Sequence, residues 1–181
     1  MSLREDVIPG LAYIIRLGVL RDTPNVHFHD LPSEFVKEIS AIDRVEHGVG
    51  AFSPIARDLP DLRPWYMHQN QEDNLLVLCG QRNIDLYTPG HGSVESFEVT
   101  PHFVKHNGTV VAEGPVLLGW GVGVFHRVTS PGGSISLNFA RHFAGFDIDT
   151  NFNIYDLNVG TGEYQIVRVG KTDQPEQYVG E

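Results

Sequence analysis

Apolar positions in this chain recur mostly at a spacing of two, in short runs cut by glycine and proline. From residue 65 onward the alternation is regular. It predicts strands over 65–69, 73–79, 82–88, 94–99, 102–106, 109–112, 115–120, 124–129 and 133–140. The segments TPGHGS, HNGT, EGP and SPGG supply turn chemistry between them. The run IYDLNVGTGEYQIVRVG (154–170) predicts a further hairpin that turns at Gly160-Thr161-Gly162. Short strands at this spacing build an antiparallel sandwich or barrel.

The N-terminal third is less regular. LAYIIRLGVL (11–20) predicts a strand, bounded by Pro9-Gly10 and Asp22-Thr23-Pro24. SEFVKEISAI (33–42) predicts a short helix capped by Ser33, with Phe35, Ile39 and Ile42 on one face. HGVGAFSPIA (47–56) predicts a second strand bent at its glycines, and the closing KTDQPEQYVGE reads as a polar tail. No repeat, low-complexity block or linker divides the chain, so its 181 residues are expected to form one domain, 1–181.

Composition narrows the partners. A formal net charge of -10 with no cluster of Lys and Arg argues against nucleic acid and against an anionic membrane surface. A small polar or cationic ligand, or a metal ion, is compatible with that field. The single cysteine, Cys79, has no internal disulfide partner and rules out Cys-based zinc sites. Its apolar neighbours predict a buried strand residue rather than a nucleophile. The opening MSLREDVIPG has no apolar signal core and no run reaches membrane-spanning length, so a cytoplasmic location is expected.

Candidate chemistry gathers around WYMHQNQEDNLLVLCG (65–80). Four residues separate His68 from Asp73, six separate Asp73 from Gly80, and far downstream His126 follows Gly123 by three. These spacings resemble the two motifs of the cupin superfamily. Motif one is a histidine pair, an acid after four residues and a glycine after six more; motif two ends in glycine, two residues and histidine. Tyr66 stands at the first histidine, His68 at the second, Asp73 at the acid and Gly80 at the glycine. Gly123 and His126 match motif two, while Gly121 and Ser130 stand at the family's proline and asparagine. The resemblance covers roughly residues 50 to 140. It implies an all-β double-stranded β-helix, a jelly-roll cupin barrel, with a short N-terminal helix and extra N- and C-terminal strands packing on it.

The same residues can be read physically. Positions two apart on a strand share a face, so Tyr66 and His68 point one way. Asp73 can face the same cavity from the start of the next strand, and His126 can close the set from a strand paired across the barrel. His68, Asp73 and His126 would suit Fe, Mn, Ni, Zn or Cu as divalent ions and leave open positions for substrate or dioxygen. Tyr66 replaces one nitrogen ligand by a hydroxyl that ligates poorly unless ionised. Glu72 could take the place of Asp73 only through a one-residue slip of register.

Other polar residues carry less. HFHD (27–30) holds two histidines and Asp30 but no third ligand at a recognisable spacing, so a surface loop or edge strand is expected. His91 and His106 fall in turns and are expected to be exposed, and His102 and His142 sit at strand ends without evident partners. Arg63, Arg82, Arg127 and Arg141 border the strands; any one could bind a substrate carboxylate or phosphate, but exposed surface is the expectation for each. Arg127, beside His126, should turn away from the cavity. Trp65, Tyr87, Trp120 and Phe125 are expected in the core.

Three readings of function follow. One is a metal-dependent small-molecule enzyme, a dioxygenase, isomerase or lyase, with the ion on His68, Asp73 and His126 and Tyr66 as hydrogen-bond donor or acid. The second is a metal-free cupin resembling nucleotide-sugar epimerases and ketoisomerases, with His68 and Tyr66 as base and acid beside a carbonyl. The flanking arginine and histidine pattern of those epimerases is not found here. The third is a non-enzymatic binding or sensor module, or a subunit whose role is assembly. All take a small-molecule ligand without an organic cofactor, and a homodimer is expected, the strand 11–20 extending a partner's sheet.

Overall fold

The structure, a computed structural model, describes residues 4–56 and 58–175. The part of the expected polar tail at 176–181 lies outside the described residues. Among the described residues there are seventeen strands: β1 (Glu5–Ile8), β2 (Ala12–Arg16), β3 (Gly18–Thr23), β4 (Val26–Asp30), β5 (Ala41–His47), β6 (Ala51–Ser53), β7 (Trp65–Met67), β8 (Gln71–Gly80), β9 (Arg82–Tyr87), β10 (Glu95–Val99), β11 (Phe103–His106), β12 (Thr109–Glu113), β13 (Val116–Trp120), β14 (Phe125–Ser130), β15 (Ser134–His142), β16 (Ile154–Leu157) and β17 (Tyr164–Arg168). One-turn helices α1 (Ser33–Val36) and α2 (Ile148–Asn151) and a 3-10 turn, Gly170–Asp173, complete them.

Every strand pair is antiparallel. One sheet runs β1-β2-β13-β8-β15-β5; the other runs β12-β11-β10-β9-β14-β7-β16-β17, with β6 also on β14. The sheets stack in a jelly-roll arrangement and do not close into a continuous barrel. Ile14, Leu75, Val77, Leu118 and Trp120 from the first face Ile84, Leu86, Phe97, Val99 and Val104 from the second, and these residues form the main core. A second cluster, Tyr13, Ile15, Phe35, Leu117 and Phe139, lies on the other face of the first sheet, closed by Phe35 of α1.

The two motif glycines have distinct structural reasons. Gly80 has φ +76°, and a Cβ there would meet the Gly133 carbonyl at 2.1 Å, so only glycine lets β8 and β15 approach. Gly123 has φ +75°, and its N–H donates to the His68 carbonyl at 2.8 Å, tying the turn before β14 to the end of β7.

Several expectations are corrected. Residues 11–20 split after Arg16: Ile14 and Ile15 enter the cores, whereas Val19 and Leu20 are exposed in the separate hairpin β3–β4, which turns at Asn25 with φ 64°. The helix expected over 33–42 stops at Val36, and Pro32, not Ser33, occupies its N-cap. Residues from Ala41 leave the helical path because β5 pairs with β15 over seven positions, which turns Ile42 to solvent. The strand expected over 47–56 is β6 alone, preceded by a turn at Gly48–Gly50. Cys79 is exposed rather than buried, because β8 runs past the core and Leu78 is exposed beside it. Residues 170–173 are not free tail: Arg168 grips Asp173 through both carboxylate oxygens, and the Gly170 N–H donates to Asn153. HFHD does form an exposed strand, β4. No helix among the described residues is long and apolar enough to cross a membrane.

Candidate functional site

A cavity of about 270 Å³ opens between the sheets; Tyr66, His68, Asp73, Arg82, Trp120 and His126 are among its walls. Alternation in β7 sends Trp65 and Met67 into an aromatic cluster on the outer face and leaves Tyr66 and His68 facing inward. Asp73 enters from β8. Glu72, next to it, points to the opposite face and is gripped there by Arg4 through both carboxylate oxygens at 2.8 and 2.5 Å. The register has therefore not slipped. His126 enters from β14, paired with Tyr66 across β7.

His68, Asp73 and His126 are all buried, and one ligand atom from each lies within 4.8 Å of the others. Asp73 Oδ2 faces His68 Nε2 at 3.3 Å and His126 Nε2 at 3.9 Å. Its other oxygen accepts from Gln71 at 2.7 Å and from Asn138 at 2.8 Å. His68 Nδ1 meets the Asn151 carbonyl at 2.5 Å, and His126 Nδ1 meets the Val124 carbonyl at 3.2 Å. A carbonyl only accepts, so both Nδ1 atoms carry a proton and both Nε2 atoms turn toward Asp73. Asn151 also donates to Gln71 at 2.9 Å, which links α2 to the carboxylate through a second residue.

Electrostatics distinguish the three groups. Burial pushes His126 down to about 4, helped by the charge of His68, so its ring is neutral near pH 7 with a bare Nε2. For His68 burial acts in the same direction, but the adjacent Asp73 carboxylate outweighs it and the pKa is raised. For Asp73 burial would raise the carboxyl; His68 outweighs that and holds it well below the usual carboxylate range. Burial raises the Tyr66 hydroxyl, so it stays protonated and available as a donor. The Tyr66 ring stands 6.3 Å from that of His68 and 5.8 Å from that of His126, with Phe152 edge-on to Tyr66 and His68. Trp120 packs 5.1 Å from His126, and its buried indole N–H has no acceptor among the described residues.

These residues fit a divalent ion. Three donor atoms of suitable type converge, and each imidazole is oriented by a carbonyl on its far nitrogen, as metal-bound histidines are. A protonated Tyr66 would not be a fourth ligand.

Arg82 is the residue that sequence reasoning misplaced. It is 3% exposed, not at the surface, and lines the cavity. Its Nε donates to Ser134 Oγ at 3.0 Å and its Nη2 to the Val45 carbonyl at 3.1 Å. Ser134 Oγ meets Ser130 Oγ at 2.9 Å, which in turn meets His47 Nδ1 at 3.0 Å. The available signal was parity: Arg82, Ile84 and Leu86 are buried on one side of β9. Arg127 does turn away, pairing with Asp85 at 2.9 Å and lying 4.2 Å over Trp65. Arg63 lies over Phe52 and Arg141 pairs with Glu38, both outside the cavity. His91 is exposed in a turn as expected, whereas His106 is half-buried at the end of β11; both hold Glu95, at 2.8 and 2.7 Å. His142 stacks on Phe146.

No family model matches the chain, and no curated protein does. Solved structures do match its fold. The sugar 3,4-ketoisomerase QdtA from Thermoanaerobacterium thermosaccharolyticum, in complex with TDP, is 15% identical over 75% of this chain and 82% of that one, with a TM-score of 0.52. A variant of that enzyme in complex with TDP-4-keto-6-deoxyglucose is 14% identical over 78% and 85%, with a TM-score of 0.53. A dTDP-4-dehydrorhamnose 3,5-epimerase from Elizabethkingia anophelis is 13% identical over 80% and 77%, with a TM-score of 0.53. At these identities the likeness shows the fold: the jelly roll of the cupin type, shared with sugar isomerases and epimerases.

Proposed function

We propose that this chain is a small-molecule isomerase or epimerase that moves a proton beside a carbonyl, with keto sugars as its substrate class. The observation that carries this reading is the juxtaposition, in one cavity, of a buried His68–Asp73 pair, a neutral His126 and the protonated Tyr66 hydroxyl. Both nitrogens of His68 are engaged, so the base role expected for it passes to His126, whose Nε2 is bare. His126 takes the proton from the carbon next to the carbonyl, and Tyr66 donates to the carbonyl oxygen as it gains negative charge. His68, held charged by Asp73, stabilises that charge. Return of the proton from His126 to the former carbonyl carbon, while the adjacent hydroxyl gives up its proton and becomes the new carbonyl, gives isomerisation; return to the original carbon on its opposite face, from a second proton donor on that side, gives epimerisation. The structural neighbours support the substrate class, since one was solved with a keto sugar nucleotide.

The test is solvent exchange. The protein is incubated in D2O with TDP-4-keto-6-deoxyglucose and with free keto hexoses and keto sugar acids. Deuterium should enter next to the carbonyl, about 100-fold or more slowly in His126→Gln and Tyr66→Phe. No uptake with any keto sugar would sink the reading and leave the binding or sensor module.

One observation favours a second reading. The convergence of His68 Nε2, His126 Nε2 and Asp73 Oδ2 would equally hold a divalent ion, making this a metal-dependent isomerase, lyase or dioxygenase. The ion would supply Lewis-acid polarisation of a bound oxygen. Elemental analysis of the purified protein, with Fe, Mn, Ni and Zn added back after chelation, decides between proton and ion; no bound metal and no gain on addition exclude the ion. We further propose that the chain is one domain and pairs as a homodimer through its N-terminal strands. The two sheets share one core, β1 is a sheet edge, and the hairpin β3–β4 exposes Val19, Leu20, Val26 and Phe28.

A further inference from the structure

We infer that the end of the cavity away from His68, Asp73 and His126 is a carboxylate-binding subsite whose walls are Arg82 and His47, held from behind by Ser134 and Ser130, and that the cavity's ligand is a hexose-sized sugar acid. The sugar-acid part rests on the proposed carbonyl chemistry; the anion subsite does not.

Arg82 is almost fully buried, yet it forms no ion pair with any carboxylate among the described residues. Its two hydrogen-bonded groups go to neutral acceptors, Ser134 and the Val45 carbonyl. A guanidinium has five N–H donors, so donors remain for a ligand. Burying a cation without a counter-charge is costly, and a structural tie between β9, β15 and β5 would not need the charge. Burial lowers Arg82 only to about 10, so the charge persists at neutral pH. His47 beside it is pushed down to about 4 by burial and by Arg82, so it adds no second cation. The Ser134 and Ser130 hydroxyls, both buried, lie behind this wall and hold Arg82 Nε and His47 Nδ1 in place.

The placement sets a length. Leu86 pairs with His126 and Ile84 with Val128, so Arg82 lies level with Ser130, four residues along β14 from His126. Four residues of strand span about 13 Å, so a ligand that reaches both Arg82 and His126 extends along β14 through the cavity. Asp73 lies at the far end, where it already pairs with His68, and Asp43 also lines the cavity, so Arg82 is the cation there without a carboxylate partner among the described residues. A keto sugar acid would be held in one orientation, carboxylate on Arg82 and carbonyl between Tyr66 and His126. The cavity, about 270 Å³, has room for a hexose-sized acid.

The experiment compares glucuronate and galacturonate with glucose, galactose and inorganic phosphate by thermal shift and calorimetry, on the wild-type chain, Arg82→Met and Arg82→Lys. The uronates carry no ketone, so their binding is read independently of the exchange test above. The uronates should raise the melting temperature and the neutral sugars should not. Arg82→Met should weaken uronate binding about 30-fold or more, while the ligand-free protein melts at the same or a higher temperature because an uncompensated buried charge is gone. If Arg82→Met fails to fold, Arg82→Lys takes its place, with binding about 10-fold weaker expected from loss of the fork. The inference is overturned if no uronate binds, if glucose binds as well as glucuronate, if phosphate alone gives the same shift, or if uronate binding survives loss of the guanidinium.

Discussion

Glu72 and Asp73 are adjacent on β8 and both are buried, yet they lie in unlike surroundings. Glu72 faces outward and meets a fixed cation: Arg4 engages both its oxygens and lies 4.5 Å over the Tyr13 ring. Asp73 faces inward and meets two imidazoles at 3.3 and 3.9 Å across a cavity. One carboxylate is neutralised in a closed pair; the other is balanced by groups that can gain or lose a proton, beside space for a ligand. Buried charge is compatible with both structure and chemistry, and what separates them is whether the counter-charge is permanent and whether the space is open.

The sharpest way to break this contrast is to remove each acid. Asp73→Ala strips His68 of its counter-charge and frees the amides of Gln71 and Asn138, so a loss of about 3 kcal/mol in urea denaturation is expected, together with loss of proton exchange. The next effect is pH dependence. The folded pKa of His126 and of His47 is about 4, below the ordinary 6.5, so the unfolded chain binds protons that the folded one does not. Stability should therefore fall as pH drops from about 6.5 toward 4, by on the order of 2 kcal/mol for His126 between pH 6.5 and 5. His126→Gln should flatten that slope in pH-dependent melts, whereas Glu72→Gln should leave it in place. The smallest effect is that of Glu72→Gln itself. Arg4 keeps 29% of its side chain exposed and can rehydrate, so about 1–2 kcal/mol is expected, with proton exchange and ligand binding unchanged. If Glu72→Gln abolished exchange and Asp73→Ala did not, the assignment of the two faces would be reversed.

Much of the inward face was legible in the chain. Strand alternation placed Tyr66 with His68, whereas Asp73 and His126 came from the resemblance of their spacings to Gly80 and Gly123 to the two cupin motifs. Arg82 escaped because an isolated arginine just past a glycine turn, after Gln81, reads as surface, and only its parity with Ile84 and Leu86 pointed inward. Asn151 and Asn138 could not be read at all. They reach Gln71 and Asp73 from 80 and 65 residues away, and no local pattern encodes that. The helix expected over 33–42 failed for a related reason: pairing of Ala41–His47 with β15 outweighed a helical spacing of three apolar residues.

The amino-acid sequence by itself determined the β class, most strand positions from residue 65, the glycine turns and the candidacy of Tyr66, His68, Asp73 and His126. The first three follow from period, turn chemistry and φ requirements, which act over a few residues; the candidate residues follow from motif spacings that resemble those of the cupins. The tertiary structure decided which buried acid faces the cavity, which histidine nitrogen is bare, and that Arg82 is enclosed without a carboxylate partner. Each of these depends on what another strand brings within hydrogen-bonding distance, and the loss of water at that contact sets the protonation state.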